Sequence, residues 1–411
     1  MMQCGLLGRK LGHSYSPAIH AQLGAYGYDL YEKEPEELEE FLLHGAFHGL
    51  NVTIPYKKAV VPYCAALSET AQLLQSVNTL VRRPDGTLYG ANTDYDGFAY
   101  LLRRSSVEPA GKKALVLGSG GASVTVCAVL AKMGAQPVVI SRTGENNYEN
   151  LARHSDAQLL VNTTPVGMYP HNGTSVVDLT LFPHLAAVYD LIYNPARTAL
   201  LLQAESLGIP AFGGLAMLVA QARRSSEFFQ NTTIGDEVLL SIQCSLRSQM
   251  ENIVLIGMPG CGKSTVAAKL GTLLGREVLD SDTLIEESAH MSIPEIFAAE
   301  DEEGFRRRET QALAQLGKRS GIILATGGGC VTQPENYALL RQNGILIWLQ
   351  RPLEALATDD RPLSAQQSLA TLYQQRKPLY ERFAHCSIEN CRTPADTAQA
   401  IKEAFYEICR H

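Results

Sequence analysis

The stretch Gly257-Met258-Pro259-Gly260-Cys261-Gly262-Lys263-Ser264-Thr265 stands between an apolar, branched run at 253–256 and the helix-forming run Val266-Ala267-Ala268-Lys269-Leu270. Strand, glycine-rich turn and helix in that order make a P-loop. The glycines let backbone N–H groups turn inward around a polyphosphate, and the helix that follows offers its positive end. Pro259, Gly260, Cys261, Gly262, Ser264 and Thr265 then form the cradle. Lys263 neutralises the outer phosphates, and the Ser264 hydroxyl falls to a Mg2+ ion. A nucleoside triphosphate is expected near residue 260, and the question becomes what the long segment before it does.

The chain of 411 residues is 45% hydrophobic. That is enough for two or three cores, because single cores rarely grow past about 250 to 300 residues. A net charge of -7 argues against nucleic acid or an anionic membrane surface as the main partner. No run approaches the roughly 18 uninterrupted apolar residues of a membrane span. Met1-Met2-Gln3-Cys4 lacks the basic-then-apolar form of a signal peptide. Nine cysteines, an odd number without a CxxC pair, suit buried thiols in a reducing compartment. A soluble cytoplasmic protein is expected.

Before the P-loop, strand-like runs at 4–7, 30–32, 50–54 and 78–82 alternate with helical ones at 17–26 and 35–43, which predicts an α/β layer sandwich. Polar residues gather at the ends of these runs. Ser14 and Ser16 can cap the first helix or hold a carboxylate at its positive end. Lys57 closes Asn51-Val52-Thr53-Ile54-Pro55-Tyr56-Lys57 as either an acid catalyst or a solvated charge. From Lys112 the pattern becomes a strand at 114–117, the turn Gly118-Ser119-Gly120-Gly121-Ala122-Ser123, a helix at 124–133 and a strand at 137–140. This βαβ frame lets backbone approach the pyrophosphate of a dinucleotide. Ser141-Arg142-Thr143 follows, where an NAD site usually carries an acid, so Arg142 favours NADP. The next loop, Gly144-Glu145-Asn146-Asn147-Tyr148, brings no second base, and Glu145 opposes a phosphate.

Taken together, Ser14-Tyr15-Ser16-Pro17, the stretch 51–57, Ser76-Val77-Asn78-Thr79-Leu80 and Gly90-Ala91-Asn92-Thr93-Asp94 resemble shikimate dehydrogenase. The likeness continues through Asn162-Thr163-Thr164-Pro165-Val166-Gly167-Met168, Asp190-Leu191-Ile192-Tyr193-Asn194-Pro195 and Gly213-Gly214-Leu215-Ala216-Met217-Leu218-Val219-Ala220-Gln221, covering roughly residues 3–245. The resemblance implies that Ser14 and Ser16 bind the substrate carboxylate and that Thr53, Asn78 and Asp94 bond ring hydroxyls. It implies further that Lys57 and Asp94 form the catalytic pair, and that Tyr193 and Gln221 reach the substrate. Ile192 and Gly214 would lie against the nicotinamide of NADP(H), and Glu69 would lie near the cofactor or serve as a solvated helix start. The residue types agree with that chemistry. Reducing a ketone by hydride leaves negative charge on oxygen, which an ammonium stabilises and protonates while a carboxylate orients it. One departure is Tyr95-Asp96 before Gly97, where the family often has glycine directly after the aspartate, and it bears on the local helix start.

Beyond the P-loop helix, 277–282 reads as a strand ending in Asp280 and Asp282 on one face, the first suited to Mg2+ water and the second to an alcohol awaiting phosphorylation. With Gly304-Phe305-Arg306-Arg307-Arg308-Glu309, Thr326-Gly327-Gly328-Gly329, Arg361-Pro362-Leu363 and Arg376-Lys377-Pro378-Leu379-Tyr380, the set resembles shikimate kinase over roughly residues 251–409. The resemblance implies a parallel-sheet fold of the nucleoside monophosphate kinase kind. Asp282, Arg306, Gly328, Gly329 and Arg376 would hold shikimate, Lys263, Asp282 and Arg361 would be catalytic, and Arg392 would lie by the adenine of ATP. Arg306 and Arg376 suit a carboxylate substrate, which planar guanidinium groups grip in two places. Arg307 and Arg308 read as solvated charges. The lid segment 352–360 is short, is acidic at Asp359 and Asp360, and has no base besides the following Arg361.

The expected division is a dehydrogenase at 1–249, its substrate part at 1–98 and about 215–249 and its Rossmann part at 99–214, followed by a kinase at 250–411. The combined reading is a bifunctional enzyme. It reduces 3-dehydroshikimate with NADPH and phosphorylates the resulting shikimate with ATP and Mg2+. Alternatives are an NAD-linked quinate or shikimate dehydrogenase, or an inactive first module that regulates the kinase. Monomer and homodimer both stay open.

Overall fold

The computed structural model describes residues 2–12, 14–356 and 369–410. The chain forms two compact units: Met1–Val166, Val176–Tyr193 and Gln203–Gln243 in the first, and Gly167–Ser175, Asn194–Leu202 and Cys244–His411 in the second.

In the first unit β1 (Gln3–Gly8), β2 (Gly27–Glu32), β3 (Gly49–Val52), β4 (Cys64–Leu67), β5 (Thr79–Arg82) and β6 (Leu88–Ala91) form a mixed sheet in the order β2-β1-β3-β5-β6-β4. β1, β2 and β3 run parallel, whereas β5 is antiparallel to both β3 and β6. That reversal sets Asn51, near the end of β3, opposite Thr79 at the start of β5, and Thr79 opposite Ala91 at the end of β6. Three separate segments therefore deliver their ends to one edge. β3 stops at Val52, short of the expected 54, because Pro55 has no ladder N–H and restricts Ile54. The first helix is Ser16–Leu23, ended by Gly24 rather than running to 26. β4 and β6 went unforeseen, each being four residues long with β4 only partly covered.

β7 (Lys113–Leu117), β8 (Gln136–Ile140), β9 (Leu159–Asn162), β10 (Ala187–Asp190) and β11 (Ala211–Phe212) make a second, wholly parallel sheet in the order β11-β10-β9-β7-β8. Its central strands are almost wholly buried and mainly apolar, with Asn162 and Asp190 at their ends, as a sheet covered on both faces requires. The strand order reverses between β7 and β9, the place where such sheets leave a crevice for a ligand.

The second unit is built on β12 (Asn252–Ile256), β13 (Val278–Asp280), β14 (Ile323–Ala325), β15 (Gly344–Gln350) and β16 (Cys386–Glu389), parallel throughout and ordered β13-β14-β12-β15-β16. The helix Asp236–Met250 leads into β12 with only Glu251 between them. Burial alone would raise the Glu251 carboxyl, but Arg197 and Arg247 hold it below the ordinary range, the Arg247 Nε lying 2.9 Å away.

The helix Ile293–Leu316 is broken at Asp301 (φ 61°, ψ -172°), a backbone region natural to glycine. Asp301 Oδ1 accepts the Gly304 N–H at 3.0 Å and so caps the half that carries Arg306. Asp301→Ala keeps the strain and loses the cap, and should open this half-helix by about 1 kcal/mol, or roughly fivefold faster hydrogen exchange at Gly304. Asp301→Gly relieves the strain and should change exchange by less than about twofold. Equal exchange in both variants would refute the account.

Candidate active sites

A cavity of about 270 Å³ opens at the edge where β1, β3, β5 and β6 deliver their ends. Ser14, Ser16, Thr53, Lys57, Asn78, Asp94, Tyr193, Gly214 and Gln221 all line it. Lys57 Nζ lies 2.6 Å from Asp94 Oδ2, and both side chains are partly exposed. Asp94 sits in the first turn of the helix Thr93–Arg104, where the helix dipole favours a carboxylate. Asn92 caps that helix by accepting the Tyr95 N–H at 3.3 Å, so it begins at Thr93 despite the unusual Tyr95-Asp96. Asn78 Oδ1 takes the Thr93 N–H at 2.7 Å, which turns the amide nitrogen of Asn78 toward other partners. Tyr15 takes the cap position of the helix Ser16–Leu23 without a side-chain cap bond, so neither serine caps it; Ser14 Oγ accepts the Ser16 N–H at 3.2 Å, and both serines line the cavity. Tyr193 meets Tyr15 edge to face at 5.9 Å, and burial raises its hydroxyl pKa, keeping it a donor at neutral pH.

The dinucleotide residues lie at the ends of the parallel sheet. Gly118 has φ 103°, and a Cβ there would come within 2.9 Å of Thr163 Oγ1 and Thr164 Cγ2, so only glycine lets the turn after β7 meet the loop after β9. Ahead of Gly120 and Gly121 there is open space, and Ser119, Gly120, Gly121 and Ala122 are exposed at the start of the helix Gly121–Lys132. This arrangement fits a pyrophosphate. Ser141 is half-buried after β8, with Arg142 and Thr143 exposed beside it. Their loop is knit by its asparagines: Asn150 Oδ1 accepts the Asn147 N–H, and Asn150 Nδ2 donates to the Glu145 carbonyl. Ile192 is buried just outside the cavity lining. Glu69 is exposed at the start of the helix Glu69–Leu74 and is not brought to the cavity.

A second cavity, about 550 Å³, lies at the ends of β12, β13 and β14. Pro259, Gly260, Gly262, Lys263, Ser264, Thr265, Asp280, Asp282, Arg306, Gly328, Gly329 and Arg376 line it. Cys261 is buried beneath the loop, Arg392 is exposed and not part of the cavity lining, and Arg361 with lid positions 357–360 lies outside the described residues. Lys263 Nζ donates to the Gly257 and Met258 carbonyls at 2.8 and 3.0 Å. Ser264 Oγ donates to Asp280 Oδ2 at 2.7 Å, and these two oxygens suit a hard cation such as Mg2+.

The expectation that Asp280 and Asp282 share one face of a strand is corrected. β13 ends at Asp280, which caps the helix Ser281–Ala289 by accepting the Asp282 N–H at 2.9 Å. Aspartate is a strong helix cap, and that preference ends the strand two residues early. Both carboxylates nevertheless line the cavity, one from a cap and one from a first turn.

Arg306 is almost fully buried, 2.7 Å from Glu309 and 3.1 Å from Glu302. Burial works against its charge, but those carboxylates hold its pKa above the ordinary arginine value. A Cβ on Gly329 would come within 2.2 Å of the guanidinium and would push Arg306 from this position. Arg376 Nη1 donates to the Gly328 carbonyl at 3.0 Å. Arg307 and Arg308 pair with Glu303 and Glu300 on their own helix. Among the lining residues, Glu309, Phe297 and Arg351 had not been singled out. The three-residue step from Arg306 to Glu309 on a helix was the available signal for the first.

A family model described as the substrate-binding domain of shikimate dehydrogenase matches residues 6–80, and one described as shikimate kinase matches residues 259–407. The NADP(+) shikimate dehydrogenase of Caldanaerobacter subterraneus subsp. tengcongensis is 34% identical over 267 residues, which is 57% of this chain and 95% of that protein. A solved chorismate mutase/shikimate 5-dehydrogenase fusion protein from Clostridium acetobutylicum matches with a TM-score of 0.56 and 35% identity over 59% of this chain and 95% of its own. Shikimate 5-dehydrogenase from Thermus thermophilus, solved with NADP(H) and shikimate, matches with a TM-score of 0.54 and 30% identity over 59% of this chain and 98% of its own.

Behind the first cavity His20, one turn beyond Ser16, is buried, hydrogen-bonded through Nδ1 to the Tyr26 hydroxyl at 2.7 Å and stacked on Tyr28 at 4.1 Å. Burial pushes its pKa down to about 3. The folded pKa thus lies below the unfolded value of about 6.5. As pH falls through that window the unfolded chain takes up a proton the folded one excludes, and stability is lost at about 1.4 kcal/mol per pH unit. His20→Phe keeps the stack and should flatten the pH dependence of unfolding between about pH 6 and 4 by that slope. An unchanged slope would show that His20 is not the group responsible.

Proposed function

The chain belongs to the shikimate dehydrogenase family and carries a shikimate kinase domain after it, and from that premise we propose that it reduces 3-dehydroshikimate to shikimate with NADPH and then phosphorylates the 3-hydroxyl from MgATP. The observation that carries this reading is the Lys57–Asp94 pair, 2.6 Å apart, in a cavity whose other walls are polar groups suited to a small hydroxylated acid. Ser14 and Ser16 bind the carboxylate, Thr53, Asn78 and Asp94 take ring hydroxyls, and Tyr193 and Gln221 close the remaining side. NADPH, held by 118–122 and by Ser141, Arg142 and Thr143, supplies the hydride. Lys57 stabilises the developing oxyanion and gives it a proton, while Asp94 holds both the ammonium and the substrate. A paired lysine and aspartate favour a working enzyme over a purely regulatory module.

In the second cavity Arg306 and Arg376 take the shikimate carboxylate, and Asp282 accepts the proton of the 3-hydroxyl as it attacks. Lys263 and Arg361 neutralise charge on the phosphoryl group that ATP supplies, with Ser264 and Asp280 holding Mg2+. The dehydrogenase is assigned to 1–249 and the kinase to 250–411. Among the described residues no helix is long and apolar enough to cross a membrane, and we place the enzyme in the cytoplasm.

A coupled assay tests the whole reading: dehydroshikimate, NADPH and MgATP should yield shikimate 3-phosphate. Lys57→Ala should lower dehydrogenase kcat by about 10²- to 10⁴-fold while kinase turnover stays within about twofold, and Lys263→Ala should do the converse. No NADPH oxidation by the wild-type chain would refute the first activity. Loss of both activities in either variant would refute independent sites.

A further inference from the structure

We propose that Ser225, which does not line the substrate cavity, is a positioning residue that holds its walls in register for the dehydrogenase reaction; the inference rests on the dehydrogenase reading above. Ser225 lies on the helix Leu215–Gln230, one turn beyond Gln221, and is fully buried. Its Oγ accepts from Asn51 Nδ2 at 2.7 Å and lies 2.8 Å from Thr79 Oγ1, 3.0 Å from Thr93 Oγ1 and 3.0 Å from the Gln221 carbonyl, its one proton serving one of these three while a threonine that is not donating elsewhere donates to it. A buried serine bonding back to the carbonyl four residues earlier is ordinary helix behaviour. The other three partners are not local, standing 174, 146 and 132 residues away in the chain.

Each partner leads to the cavity. Asn51 lines it directly. Thr79 Oγ1 and Thr93 Oγ1 each lie 3.2 Å from Asn78 Oδ1, which also takes the Thr93 N–H at 2.7 Å, so the same cluster orients the amide of a second lining residue. Thr93 immediately precedes Asp94, and Gln221 lines the cavity from the helix that carries Ser225. Asn51 is gripped from its other end as well, since the Tyr28 hydroxyl donates to Asn51 Oδ1 at 2.8 Å. One oxygen therefore ties β3, β5 and two helices at the point where they supply substrate-binding groups. Without it, Asn51 Nδ2 keeps only Thr79, at 3.5 Å, and the two threonines lose their shortest shared contact and keep only the 3.2 Å ones to Asn78 Oδ1 and to each other. The catalytic pair Lys57–Asp94 makes no contact with Ser225 in this network, so ground-state binding should suffer more than turnover.

The test is steady-state kinetics of Ser225→Ala in the full chain with shikimate and NADP, with kinase turnover as the internal measure of integrity. KM for shikimate should rise about tenfold and kcat fall less than about threefold, the scale of one or two lost buried hydrogen bonds. KM for NADP and kinase turnover should not change. Ser225→Thr keeps the hydroxyl and should bring KM for shikimate most of the way back. If Ser225→Ala fails to fold, Thr79→Val, which deletes one arm of the network at constant volume, should raise the same KM by about threefold. A shikimate KM within twofold of wild type in the folded variant, or an equal rise in both KM values, would overturn the proposal. A wild-type chain that does not oxidise shikimate would overturn the dehydrogenase reading and this inference with it, whereas normal wild-type turnover with an unaffected variant would overturn this inference alone.

Discussion

The antiparallel pairing of β5 with β3 and β6 is the constraint on which the first site depends. β5 and β6 are four residues long. Had β5 run parallel to β3, Asn78 would stand a strand length away from Lys57, about 13 Å, well beyond any hydrogen bond. The reversal brings the end of one strand, the start of the next and the end of a third together. Asn78 uses its carbonyl oxygen to fix the start of the Asp94 helix, and Asp94 then meets Lys57. The Lys57–Asp94 geometry is thus a product of strand direction before it is a product of side chains.

The second unit reaches a comparable result with no reversal at all. Every strand of its sheet points the same way, so the P-loop after β12, the cap at the end of β13 and the glycines after β14 gather at one end by default. Polyphosphate suits such an edge, because helix starts supply N–H groups without any charged side chain. The charges that are present had to be accommodated individually. Arg306 is kept ionised in a buried place by two carboxylates on its own helix, and Gly329 gives up a side chain to make room for it.

Much of both sites was legible in the sequence, because polar residues at strand ends and glycines at fixed offsets have few other physical uses. Lys57, Asp94, Lys263, Asp282, Arg306 and Arg376 all reach the cavities assigned to their motifs. What stayed hidden was of three kinds. Short, half-covered strands such as β4 carry too little apolar pattern to announce themselves. Local capping can outrank strand periodicity, as at Asp280, where a side-chain hydrogen bond to the Asp282 N–H turned an expected strand into a helix start. A group behind the cavity wall, such as Ser225, is an ordinary helix residue until distant segments fold against it. Glu69 keeps the plainer of its two readings, an exposed residue at the start of its helix.

The chain has a single tryptophan, Trp348, in β15 of the second unit. Its ring stacks on Tyr380 at 5.6 Å, and the Tyr380 hydroxyl donates to the Gly328 carbonyl on the wall of the larger cavity. The sole indole chromophore therefore sits two contacts from the larger cavity, while the first unit contains none. Long-wavelength excitation of the intact polypeptide selects one cavity optically and leaves the other dark.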